Sequence, residues 1–154
     1  MRKSGSIGPP KPDIPPALKN DKIFISDKAL WKTSEKIFFY IKDSGADSSL
    51  IEPEGFTEKT EVQTTTLDEF INRLNKPIKL LKVEAEGAEP EVLMGLNREL
   101  NKVENIVIDC GFERGVNSES TIAQCSQYLI RNGFEFYKFA QFRTICLFKN
   151  MKID

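Results

Sequence analysis

In the second half of the chain, short runs of consecutive apolar residues alternate with apolar stripes spaced three and four apart. The runs at residues 78–84 and 105–110 predict strands of the kind buried on both faces of a parallel sheet. The stripes predict helices: Leu67, Phe70, Ile71 and Leu74 make one, Val92, Leu93, Leu96 and Leu100 a second, and Ile122, Cys125 and Leu129 a third. Local signals mark their ends. Thr66-Leu67-Asp68-Glu69 is a capping-box pattern, in which the Thr66 hydroxyl accepts from the Glu69 amide and the Glu69 carboxylate reaches back to the Thr66 amide. Pro90 suits a first helical position, Ser118 or Ser120 starts the third helix, and Gly133 stops it. Residues 134–139 and 142–148 predict an antiparallel hairpin through Ala140 and Gln141. In the first half, residues 22–26, 36–41 and 61–65 read as strands, with a turn-rich polar loop at 43–49. The order helix, strand, helix, strand, helix, hairpin predicts an α/β fold with parallel strands and right-handed crossovers. Residues 1–20 contain Pro9-Pro10 and Pro15-Pro16 with little apolar content, which predicts a disordered or polyproline-like tail before a folded unit at 21–154.

Composition narrows the function. At 154 residues, 40% hydrophobic and 29% charged, the chain has the make-up of one soluble globular domain. A net charge of -1 gives no general attraction to nucleic acid or anionic membrane. No apolar run approaches the roughly 20 residues that span a bilayer, and Arg2 and Lys3 are not followed by a signal-peptide core. Cys110, Cys125 and Cys146 are odd in number, widely spaced and without any histidine beside them. Neither a disulfide framework nor a metal site is expected, and a reducing cytoplasm fits best. The absence of histidine also removes the commonest general base, leaving carboxylates, lysine, tyrosine, cysteine or water to move protons.

The densest chemistry lies between Leu80 and Gly95. An apolar run ends in the alternating carboxylates Glu84 and Glu86, turns at Gly87 and enters a helix at Pro90. Open α/β sheets gather their ligands at the carboxyl ends of strands. If the strand runs through both carboxylates, they share one face and can orient or deprotonate a hydroxyl. On the residues alone they read more readily as solvated groups, or as charges favoured near the following helix N-terminus. Lys82 reads mainly as a structural ion-pair partner, Gly87 as the tight turn, and Glu89 and Glu91 as first-turn charges serving the helix dipole. Cys110 reads as a small buried residue and Trp31 as a core or hairpin anchor.

Four segments together resemble the FkbM-type family of S-adenosylmethionine-dependent methyltransferases. They are Ser26-Asp27-Lys28-Ala29-Leu30 with its following strand and Ser48-Ser49-Leu50; Thr64-Thr65-Thr66-Leu67-Asp68-Glu69-Phe70; the stretch from Leu80 to Gly95; and Ile108-Asp109-Cys110-Gly111-Phe112-Glu113-Arg114-Gly115 with the closing strand at 144–150. The third is the most specific, with Glu84 where the family more often has Asp. The resemblance implies a Rossmann-like class I methyltransferase sheet of order 3-2-1-4-5-7-6 ending in an antiparallel hairpin. It also implies that the first two strands and their glycine-rich cofactor loop are missing. Ser4-Gly5-Ser6-Ile7-Gly8 has glycines but no strand before it, and reads as loop. The domain is thus expected to be truncated, with residues 78–84 as an exposed strand edge open to self-association unless another segment covers it.

By the same resemblance, S-adenosylmethionine is the expected cofactor, with Asp27, Ala29 and Ser49 on its side. Asp27 reads equally as a turn residue and Ser49 as part of a polar loop. Glu84 and Glu86 are the candidate catalytic groups, while Asp109, Glu113 and Arg114 are candidates for the substrate side or for a local surface cluster. No Asn-Pro-Pro-aromatic motif follows the strand at 78–84, which favours O-methylation of a sugar, glycan or secondary-metabolite hydroxyl over methylation of nucleobase amines. The alternative is a non-catalytic α/β remnant that binds a partner through its open sheet edge.

Overall fold

The computed structural model describes residues 23, 25–43, 47–74, 76–140 and 143–153. The proline-rich tail lies outside the described residues, as do Phe24, Gln141 and Phe142. The elements run β1 (Ala29–Leu30), β2 (Lys36–Ile41), β3 (Glu58–Thr65), α1 (Leu67–Leu74), β4 (Leu81–Val83) and α2 (Glu89–Met94). A 3-10 turn (Leu100–Lys102) then leads to β5 (Asn105–Asp109), α3 (Ile122–Arg131), β6 (Phe134–Phe139) and β7 (Ile145–Asn150). Two sheets form, of order β1-β3-β2 and β4-β5-β7-β6. The α/β class is as predicted. So are the parallel pairing of β4 with β5 across α2 and the antiparallel closing hairpin of β6 and β7.

The helical stripes form one core. Leu67 and Ile71 from α1, Val92 and Leu93 from α2, and Cys125 and Leu129 from α3 pack with Val83, Ile106, Ile108, Cys146 and Phe148 of the four-stranded sheet. That sheet is covered on one face. Ile106 and Ile108 are buried whereas Val107 between them is half-buried, and β7 alternates in the same way. The continuous apolar runs had predicted burial on both faces. The difference is greatest at the sheet edge, where Leu80 is 57% exposed and Lys82 faces solvent. β4 is correspondingly shorter than residues 78–84, because Ile78 makes only a single bridge to Val103 and the ladder starts at Leu81. β4 ends the sheet order, and among the described residues no strand pairs with its outer side.

The strand expected at 22–26 is displaced. Ile23 and Ile25 are exposed and lie outside any strand, whereas Ala29 and Leu30 run parallel to Thr64 and Thr65 and Trp31 donates its amide to the Thr65 carbonyl at 2.9 Å. A β-rich composition does not by itself make a strand, and among the described residues nothing pairs with Ile23 or Ile25. The second helical stripe also spans more than one element. α2 stops at Met94, so Leu96 and Leu100 reach the core from the segment beyond it. The third helix begins at Ile122 rather than at either serine. Ser118 has a φ of 51°, outside helical space, and the Ser120 hydroxyl accepts from the Ile122 amide at 3.3 Å.

Half of the capping box forms. The Glu69 amide donates to Thr66 Oγ1 at 3.1 Å, but the Glu69 carboxylate turns instead to the hydroxyls of Ser34 and Thr65, each at 2.8 Å. The adjacent Asp68 makes the stronger fastening. Its carboxylate accepts from the amides of Asn97, Arg98 and Glu99 at 3.0–3.1 Å, tying the start of α1 to the segment after α2. Burial alone raises its pKa, but those amides and the Arg98 guanidinium outweigh burial and hold it below the ordinary carboxylate value. Asp68→Ala strands the amides, and we expect about 2–4 kcal/mol of lost stability in urea unfolding, with a smaller loss for Asp68→Asn.

Candidate functional site

The chain leaves β4 through Glu84 and Ala85 and reverses in a two-residue left-handed turn, with φ of 47° at Glu86 and 91° at Gly87. Only glycine fits the second position. A Cβ there would stand 2.5 Å from the Arg114 Cα. Glu89, 2% exposed, holds the turn from below: its carboxylate accepts from the amides of Ala85 (2.8 Å) and Gly87 (3.2 Å) and from the Thr121 hydroxyl (3.1 Å). The Ser49 hydroxyl donates to the Glu86 carbonyl at 2.7 Å. Arg114 donates to the Gly87 carbonyl at 2.6 Å and grips Glu91 through two bonds of 2.8 Å. Glu89 and Glu91 are therefore buried fasteners of this turn as well as charges near a helix end. A non-glycine residue held left-handed by so many partners is backbone strain of the kind that collects at functional sites.

Two clefts meet at this turn. One, of about 180 Å³, is acidic: Asp47, Glu84, Glu86, Glu89, Asp109 and Glu113 line it with Arg143. The other, of about 380 Å³, lies between the two sheets and is mainly apolar, with Ala29, Leu30, Phe39, Ser49 and Val83 among its walls. Glu84 and Glu86 line both. Their environments push them in opposite directions. Hydrogen bonding and charge from Lys82 hold Glu84 below the usual carboxylate range. Burial, then the charges of Glu113, Asp47, Glu89 and Glu84, push Glu86 upward. Glu113 is also raised, first by desolvation, its carboxylate folding back over Gly111.

The candidate residues separate by position. Glu84, Glu86, Asp109 and Glu113 converge on the acidic cleft, where Asp109 pairs with Arg143 at 2.8 Å. Ala29 and Ser49 line the apolar cleft, and Lys28 rather than its neighbour Asp27 joins them there. Arg114 sits behind the turn with its guanidinium committed to Glu91 and Gly87, as a brace. Asp47 and Arg143 join the cleft without any signal in sequence spacing. Arg143 arrives only through the register that sets Asp109 opposite Ile145. The three cysteines, distant in sequence, meet in the core behind the site. Hydrogen bonding to Cys125, then burial, hold Cys110 far above the thiol range, and burial with Cys110 pushes Cys146 up to about 12. All three are fully buried, out of reach of solvent and reagents, and so make poor nucleophiles. Among the described residues no cluster of acidic and cysteine side chains is arranged to hold a metal ion, and no helix is long and apolar enough to cross a membrane.

The clefts at the carboxyl end of β4, with carboxylates on the shared wall, lie where open α/β sheets gather their ligands. The chain belongs to the methyltransferase FkbM domain family, whose model matches residues 8–136. No curated protein and no solved structure gives a significant match.

Two measurements check the geometry. Gly87→Ala meets both the left-handed φ and the Arg114 backbone and should destabilise by about 2–4 kcal/mol. Gly55→Ala, at φ 69° with nothing within 4 Å of its Cβ position, should cost only about 1 kcal/mol. The raised pKa of Glu86 means that the folded chain binds more protons than the unfolded one between the two pKa values, so its contribution to stability falls as pH rises through that window. Glu86→Gln should therefore raise the thermal midpoint near pH 7 and lose that gain near pH 3.5, where both states are protonated.

Proposed function

We propose that this domain methylates a hydroxyl of a sugar, glycan or secondary metabolite in the acidic cleft, with S-adenosylmethionine held in the adjoining apolar cleft. The observation that carries this is the meeting of the two clefts at Glu84 and Glu86. In this reading β4-β5-β7-β6 is part of a Rossmann-like class I methyltransferase sheet. The residues present fit the cofactor's chemistry. A cleft of about 380 Å³ falls within the roughly 300–1,000 Å³ of small-molecule sites. Leu30, Phe39 and Val83 offer apolar walls to a flat base, Ala29 and Ser49 lie beside them, and Glu84 offers a counter-charge to a cation. When bound, S-adenosylmethionine supplies a methyl group on a positively charged sulfur that is already a good leaving group.

The remaining work falls to the chain's own side chains. Groups whose environments drive their pKa values apart divide acid–base roles between them. Glu84, held ionised by Lys82, serves electrostatically. Glu86, with its raised pKa, accepts the hydroxyl proton at its carboxylate and is the base we assign. Asp109 and Glu113 face the acceptor and hydrogen bond neighbouring hydroxyls, while Arg143 offsets part of their charge. So many carboxylates disfavour an anionic acceptor.

Calorimetric titration with S-adenosylmethionine should give micromolar binding, and absence of binding at about 1 mM overturns the proposal. With an acceptor in hand, Glu86→Ala should lower methyl transfer by about 100-fold or more while leaving cofactor affinity nearly unchanged. Among the described residues no strand pairs with the outer side of β4, which favours a second reading, a non-catalytic module that adds a partner strand there. Loss of cofactor binding together with partner binding abolished by a proline in β4 would select it.

A further inference from the structure

Beyond the acidic cleft lies a larger one of about 490 Å³, whose lining includes Lys42, Asp47, Glu54, Phe112, Glu113 and Ser118. Asp47 and Glu113 line both, so the two clefts adjoin across a shared wall. Phe112 stands in this cleft with 63% of its surface exposed. The backbone two residues to either side of it is anchored. On one side the Cys110 amide donates to the Thr144 carbonyl at 2.9 Å, and the Cys110 carbonyl accepts from the Ser120 hydroxyl at 2.7 Å. On the other, Arg114 is bound to Glu91 and exchanges backbone hydrogen bonds with Glu119 at 3.2 and 2.9 Å. Among the described residues the rim leaves the mouth open. Gly55 and Gly115 occupy left-handed turns, with nothing near the Cβ position of the first and only the Ile51 methyl, at 3.8 Å, near that of the second.

An aromatic ring left in water on a fixed backbone is a surface prepared for another ring. A pyranose has one face of polarised C–H groups, which the negative face of an aromatic ring attracts, and a rim of hydroxyls, which carboxylates and a lysine can hydrogen bond. We propose that this cleft is an extended acceptor subsite. Phe112 stacks a second sugar ring there while Asp47, Glu54 and Lys42 engage its hydroxyls. The acceptor is then an uncharged or amino glycan of at least two sugar units, not a free monosaccharide. This rests on the acidic cleft being the place where a hydroxyl is methylated.

The test is ligand-observed NMR titration of the full chain with methyl glycosides of glucose, galactose, mannose, fucose and rhamnose, and with neutral disaccharides terminating in each. At least one disaccharide should bind about fivefold or more tightly than its terminal monosaccharide. Phe112→Ala should remove that advantage without changing the monosaccharide affinity or the thermal midpoint, and Phe112→Trp should keep it. The subsite is overturned if no disaccharide gains, or if Phe112→Ala weakens both ligands equally. Titrating S-adenosylmethionine into the same sample separates the two ideas. Cofactor binding without a disaccharide advantage removes the subsite alone, and an advantage without cofactor binding removes the methylation reading and leaves a sugar-binding cleft.

Discussion

The buried carboxylate of Glu89 is the interaction on which the site depends. A carboxylate withdrawn from water needs compensating donors, and here two amides and a hydroxyl supply them. Those donors come from the turn after β4 and from the residue before α3, so one side chain fixes the strand end relative to two helices. The left-handed conformation of Glu86, unfavourable by itself, is stable because Glu89, Ser49 and Arg114 hold the backbone on three sides. Replacing any of these partners changes where Glu86 points before it changes any chemistry.

Charge is then distributed around a fixed frame. Lys82 keeps one carboxylate ionised, while burial, and then crowding by like charges, gives its neighbour two residues on a greater affinity for protons. The contrast arises because Glu84 lies on the exposed side of the edge strand and Glu86 is half-buried within the turn. The same exposed side accounts for the one-faced sheet. Among the described residues no strand pairs with the outer edge of β4, and its outer face carries the exposed Lys82.

Much of the scaffold was legible from local pattern. The stripe of α1, Pro90 at the start of α2 and the closing hairpin all depend on neighbours in sequence, where periodicity and turn chemistry act directly. Ile23 and Ile25 misled for a physical reason: strand propensity is realised only against a partner, and the partner strand β3 lies against Ala29 and Leu30. Glu84 and Glu86 were visible as carboxylates at a strand end. Arg143 and Asp47 were not, since a strand register and a returning loop bring them in. Arg114 is visible in the sequence as chemistry but not as a brace, because its partner Glu91 is distant in sequence and carries only the local signal of a first-turn charge.

The three buried thiols behind the site have a consequence for observing the protein in motion. A cysteine buried out of reach of solvent reacts with an alkylating reagent only when the surrounding core opens. Cys110, Cys125 and Cys146 touch the elements that carry Thr121 and the end of β5, so the rate at which they become modified measures how often the floor of the site comes apart. The chain thus carries its own clock for the breathing of its core, set beneath the residues assigned to chemistry.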